Sequence, residues 1–122
     1  MATYSTLSYI TFYVRAFERV VEFYRDRLGL EVEQLNDGFV RFRSANGFML
    51  AFHYADQPVL PRPSPEIHFD VPDVDTAYRE LQARGIRFEG EPADMPWGVR
   101  MVACRDPEGL TVEFVGLPKN TP

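Results

Sequence analysis

The sequence has a single cysteine, Cys104, which excludes an intramolecular disulfide and a thiolate metal cluster and fits a reducing compartment. It has no long apolar run: the longest uninterrupted one goes from Phe48 to Phe52, far too short to span a bilayer. It also lacks positive charge. Lys and Arg number 13 against 18 Asp and Glu, and the net charge of -5 makes nucleic acid or an anionic membrane an unexpected partner. The opening Met1-Ala2-Thr3-Tyr4 has no basic segment and no apolar stretch after it, so no secretory leader is expected and a cytoplasmic location is. There is no glycine-rich phosphate loop and no nucleophile-elbow pattern, and Cys104 falls inside an alternating stretch without an evident histidine partner. A nucleophilic enzyme is therefore not indicated.

What is present suits one globular domain. Of 122 residues, 45% are hydrophobic and 14% aromatic, enough to bury a core. The organising stretch is the turn Asp106-Pro107-Glu108-Gly109 followed by Leu110 to Val115. Asp, Pro and Gly at first, second and fourth positions are the chemistry of a type I turn, with the Asp side chain capping the backbone beyond it. Downstream, Leu110, Val112 and Phe114 alternate with Thr111, Glu113 and Val115, which places the Glu113 carboxylate on the face away from the apolar layer.

Read in order, the chain repeats itself. Residues 7 to 14 alternate as a strand, and Phe17, Val20, Val21, Tyr24 and Leu28 give a helix over 17–28 stopped by Gly29, with Ala16 a poor N-cap. Strands near 30–35, 38–43 and 48–54 follow, separated by Asn36-Asp37-Gly38 and Asn46-Gly47. Residues 57–65, with Pro58, Pro61, Pro63 and Pro65, form a linker. Then Ile67, Phe69 and Val71 mark a strand, Asp73 caps a helix whose stripe is Val74, Ala77, Tyr78 and Leu81, and Gly85 stops it. Strands near 86–89, 98–105 and 110–115 complete the second half. Val14 and Val71, Phe17 and Val74, Val20 and Ala77, and Tyr24 and Leu81 all stand 57 positions apart, so a βαβββ module has been duplicated. The fold class expected is α+β: two tandem modules, 7–56 and 66–116, with a tail over 117–122, forming a curved mixed sheet around a cavity with helices on the outer face.

The core expected under the helices is Ile10, Phe12, Val14, Phe48, Leu50, Phe52, Ile67, Phe69, Val71, Val112 and Phe114. The opposite face carries Tyr9, Thr11, Tyr13, Phe39, Arg41, Arg43, Met49, Ala51, His53, Glu66, His68, Asp70, Thr111 and Glu113, with Trp97 on a loop at its rim. Aromatic surface set with a few charges suits a ligand cavity. A subunit interface, or a face filled by its own side chains in an interaction module, are the alternatives.

The motifs Phe23-Tyr24 with Leu28-Gly29-Leu30, Phe69-Asp70-Val71-Pro72-Asp73-Val74, Pro96-Trp97-Gly98 and Asp106-Pro107-Glu108-Gly109 with Glu113-Phe114 resemble the vicinal oxygen chelate superfamily. That group includes glyoxalase I, extradiol dioxygenases and the fosfomycin and bleomycin resistance proteins. The resemblance implies a U-shaped sheet around a cavity, usually in a homodimer. It also implies a divalent metal held at four positions, here Tyr9, Ala51 or its neighbour, Glu66 and Glu113. Only the two glutamates carry ligand chemistry of that kind, which falls short of the three protein ligands a catalytic site needs. His53 and His68 each lie two residues from a ligand position, roughly 6.5 to 7 Å along the strand, and are expected to be wall residues. No cofactor is therefore expected. The expected partner is a small aromatic or cationic organic molecule bound without chemistry, as in the resistance proteins, by Tyr9, Tyr13, Phe39, Arg41, Met49, His53, Glu66, His68, Trp97 and Glu113. The alternative is a metal-dependent lyase, isomerase or dioxygenase using Glu66 and Glu113 with a histidine. Arg41 and Arg43 leave the charge of the ligand open, since they suit an anion or balance the two acids.

Overall fold

Two-residue alternation produces eight strands in the computed structural model, which describes residues 4, 6–61 and 63–119. In chain order they are β1 (Ile10–Val14), α1 (Phe17–Val21), β2 (Glu31–Asn36), β3 (Phe39–Arg43), β4 (Met49–Tyr54), β5 (Glu66–Asp70), α2 (Val74–Ala83), β6 (Ala93–Asp94), β7 (Arg100–Arg105) and β8 (Thr111–Gly116). The chain divides into two compact units, Met1–Val59 and Leu60–Pro122, with the boundary inside the proline-rich stretch. Each unit has its own four-stranded mixed sheet, ordered β1-β4-β3-β2 in the first and β5-β8-β7-β6 in the second. In both, the first strand of the module lies parallel to the last, so the two sheets have the same topology.

In the first unit Val40, Phe42, Leu50 and Phe52 point from β3 and β4 into a buried layer with Val20, Val21, Phe23 and Tyr24. Tyr24 stacks on Phe52 with centroids 4.7 Å apart. Helix α1 is shorter than its apolar spacing suggests, because beyond Val21 the chain widens into a π-helix over Glu22–Arg27. Leu28 then donates to Phe23 O, and with Gly29 at φ 81° Leu30 donates back to Tyr24 O, the closure foreseen for Gly29. As expected, Ala16 supplies no side-chain cap. Two members of the expected core are wrong: Phe48 is 54% exposed and Ile10 46%. Phe48 belongs to the turn, its carbonyl accepting from Ser44 N ahead of β4, and Ile10 begins an edge strand.

In the second unit Asp73 accepts from Thr76 N and caps α2, whose Val74 and Leu81 are buried. They join Ile86, Val102, Cys104, Leu110, Val112 and Phe114. Phe69 stacks on Phe114 at 5.5 Å. The strand expected over 86–89 is reduced to one bridge, Phe88 opposite Cys104. Gly90 and Pro92 interrupt it, and pairing resumes only at β6. Gly116 has a packing reason: a Cβ there would meet Val71 O at 2.9 Å and Val74 Cγ2 at 3.0 Å.

Candidate functional site

The turn that opens β8 forms as its residues require. Gly109 N donates to Asp106 O, Asp106 N donates to Leu110 O, and Gly109 takes φ 89°. The buried Asp106 carboxylate accepts from Glu108 N at 2.8 Å and Leu110 N at 3.0 Å. This fixes the register of β8 against β7 and, through the parallel pairing, sets His68 of β5 beside Glu113.

The structure brings the predicted face residues into two groups, one in each unit. In the second unit Glu66, His68 and Glu113 converge. His68 Nε2 lies 3.2 Å from Glu66 Oε1, and Nδ1 lies 3.4 Å from Glu113 Oε2. One donor atom from each residue falls within 4.8 Å of the other two. His68 is thus no simple wall residue. Strand spacing alone separates the two positions by one pleat, but an imidazole and a glutamate are each long enough to bend across it. Glu66 and His68 are half exposed, whereas the Glu113 side chain is 11% exposed.

Glu113 is the electrostatic anomaly. Burial pushes its carboxyl above the usual range, the neighbouring Glu66 adds to the rise, and His68 opposes it. Its Oε2 is buried without a hydrogen-bond partner among the described residues, the contact to His68 having the distance but not the alignment of a hydrogen bond. Such an atom carries a desolvation cost that a cation would offset. A nitrogen and two carboxylates also form a donor set accepted by Zn, Mn, Fe or Ni, and three protein ligands leave room for a substrate. The residues present therefore fit a divalent metal. The donor count exceeds the sequence expectation by the contribution of His68.

By the duplication, the counterparts of Glu66 and His68 in the first unit are Tyr9 and Thr11, and Ala51, the neighbour of Thr11, takes the place of Glu113. None of the three belongs to the usual metal-ligand set of His, Cys and carboxylates. That unit instead carries the second group, built of rings. Tyr9 meets Phe39 edge-on at 6.5 Å, and Phe39 and Tyr13 lie 6.1 and 5.5 Å from the His53 ring. The Arg41 guanidinium lies 4.8 Å from the Tyr9 centroid. His53 Nδ1 lies 2.8 Å from Tyr54 O. Met49 pairs with Arg43 at the end of this face. Trp97 joins neither group: it is 68% exposed in the β6–β7 turn, without a ring contact among the described residues.

The structure adds one residue that sequence reasoning missed. A bulge between Val32 and Gln34 sets both Glu33 and Gln34 opposite Arg41. Arg41 then donates to Glu33 at 2.7 Å and to Gln34 at 3.0 Å. Arg43 stands 4.0 Å from Glu31. The arginines are thus matched by acids of their own strand pair, while among the described residues the cationic neighbour of Glu66 and Glu113 is His68.

Comparison with known proteins agrees with this architecture. Residues 6–114 match the Glyoxalase/Bleomycin resistance protein/Dioxygenase superfamily. An uncharacterized protein from Bacillus subtilis, YraH, is 27% identical, covering 83% of this chain and 90% of that one. A glyoxalase/bleomycin resistance protein/dioxygenase from Nocardioides superposes with a TM-score of 0.81 at 26% identity, over 99% of this chain and 89% of that one. A lactoylglutathione lyase from Agrobacterium tumefaciens gives 0.73 at 25% identity, over 92% and 93%. Duplicated βαβββ units with this topology, matched along nearly all of their length, establish that the chain belongs to the glyoxalase/bleomycin resistance protein/dioxygenase superfamily.

Proposed function

We propose that the protein binds a divalent cation through Glu66, His68 and Glu113 and uses the site to hold a small organic molecule by its oxygen atoms. The observation that carries this reading is the buried, unpartnered Oε2 of Glu113 turned toward two further donors. A bound cation would supply Lewis-acid polarisation of a coordinated oxygen. The chain's own contribution is to hold two carboxylates on rigid strands, one of them dry, and to leave His68 and Glu66 half exposed for ligand entry. The superfamily's enzymes motivate a lyase, isomerase or dioxygenase type of reaction.

Elemental analysis of protein purified without chelator tests this directly. The expected result is one Zn, Mn, Fe or Ni per chain, lost in Glu113→Gln and in His68→Ala. Metal retained by both variants, or absent from wild type and not taken up on titration, overturns it.

A second reading is favoured by the rings of Tyr9, Tyr13, Phe39 and His53, which supply stacking surface without chemistry. It makes the protein a binder of small aromatic or cationic molecules. Metal-free protein should then bind such molecules as tightly as loaded protein does.

A further inference from the structure

The turn that joins β3 to β4 has a chemistry that neither the donor group nor the rings use. The sequence has three asparagines, Asn36, Asn46 and Asn120, and of these Asn46 alone precedes a glycine. Residues 45–48 are all exposed. Phe48 N donates to Asn46 Oδ1 at 3.2 Å, which folds the side-chain amide back over the peptide bond that carries Gly47 N. The same donor polarises the Asn46 side-chain carbonyl and is placed to stabilise an oxyanion formed there. Gly47 stands at φ 88°, and nothing among the described residues lies within 4 Å of where its Cβ would be, so the approach to its nitrogen is open. One contact opposes reaction: Gly47 N donates to Ser44 O at 2.9 Å and must release it first. That bond closes an exposed turn, beside a Phe48 that is itself 54% exposed, and local opening there takes little free energy.

We infer that Asn46 is a site of spontaneous modification, where the side-chain amide cyclises onto Gly47 and is then hydrolysed to a carboxylate. Gly47 N gives its proton to a solvent base and bonds to Asn46 Cγ, the Cγ–Nδ2 bond breaks, and Nδ2 leaves as ammonia with a proton from water. A second water opens the five-membered imide at either carbonyl. Opening at Cγ gives an aspartate, whereas opening at the backbone carbonyl gives an isoaspartate whose main chain runs through Cβ and Cγ. The net change is one water consumed and one ammonia released. Either product adds a negative charge, and the isoaspartate also inserts a methylene inside the closure from Ser44 N to Phe48 O, which is 2.8 Å in the unmodified chain. The strand that follows carries Ala51 and His53, so the change enters at the end of the hairpin that presents them.

Full-length protein can be aged in mildly alkaline buffer and then digested with trypsin, with the isolated tryptic peptide 44–79 aged alongside as the unrestrained reference. That peptide holds Asn46 as its one asparagine, because Arg62 is followed by Pro63 and is not cut. Mass spectrometry should show the native protein converting at Asn46 at a rate within roughly tenfold of the peptide's, since the turn leaves the reacting atoms open. Asn36, which is followed by Asp37, should stay intact in its own tryptic peptide 28–41 over the same period. An Asn46 that survives in the native protein while the free peptide converts overturns the inference, because the folded turn would then protect it. Conversion of Asn36 as fast as Asn46 overturns it as well, since neither the glycine nor the turn would then select the site.

Discussion

Without a cation, burial and the neighbouring Glu66 work against the charged form of the Glu113 carboxylate. It is buried, it faces a second acid, and one oxygen lacks a hydrogen bond among the described residues. Replacing it by a neutral isostere removes a desolvated charge, so Glu113→Gln should melt a few degrees higher than wild type in chelator near pH 7, as calorimetry would record. Added metal should raise the melting temperature of wild type alone, since only the state that binds is stabilised. A variant that melts lower in chelator would mean that the carboxylate is stabilising as it stands, and the reading of a charge waiting for a partner would fall. The faces of Glu66, Glu113, Arg41 and His53 were legible because strand alternation fixes them. The convergence of His68 on the two glutamates was not, because reach across a pleat depends on rotamers, which no periodicity encodes. Glu33 was hidden for another reason: a bulge is one unpaired residue, and Val32-Glu33-Gln34 has no glycine or proline to mark it.

At the scale of elements, turn chemistry was the most readable signal. Gly47, Gly98 and Gly109 each follow the same closure, with an i to i+3 bond and positive φ, and each opens the strand expected after it. The failed strand at 86–89 shows the converse, since a patch of β-forming residues cannot extend through Gly90 and Pro92. Less visible was the tie between α2 and the end of the chain. Arg100 on β7 meets Asp75 at 3.0 Å and Asp94 at 3.2 Å, and Lys119 meets Asp75 at 2.9 Å. Hydrogen bonds from Lys119 and Arg100 hold the Asp75 carboxyl below its usual range. A carboxylate whose pKa is depressed by folding stabilises above its unfolded value, about 3.9, and loses that contribution as pH falls through the folded one. The melting temperature of wild type should therefore fall more steeply than that of Asp75→Asn between about pH 5 and 2, with the two converging at the acid end. Parallel curves over that range would assign the Asp75 network no role in stability.

For the whole molecule the remaining question is what covers its exposed apolar side chains. Both sheets are open, and β1 is an edge strand that pairs only with β4 among the described strands. It bears Ile10 at 46% and Tyr13 at 61% exposure, and within Ile10–Val14 it has neither the lysine nor the proline that blunts a free edge. Phe48 at 54% adds to the apolar surface of the same unit. We propose that a second copy of the chain covers this edge, since an isologous pairing satisfies the same strand on both subunits at once. Light scattering at tens of micromolar should then give a mass near twice 14.1 kDa. Ile10→Lys places a charge on the edge without disturbing a buried residue, and should return the mass to that of one chain while the melting temperature at low concentration is kept. A monomeric wild type would sink the dimer altogether, and a dimer indifferent to Ile10→Lys would move its interface away from β1.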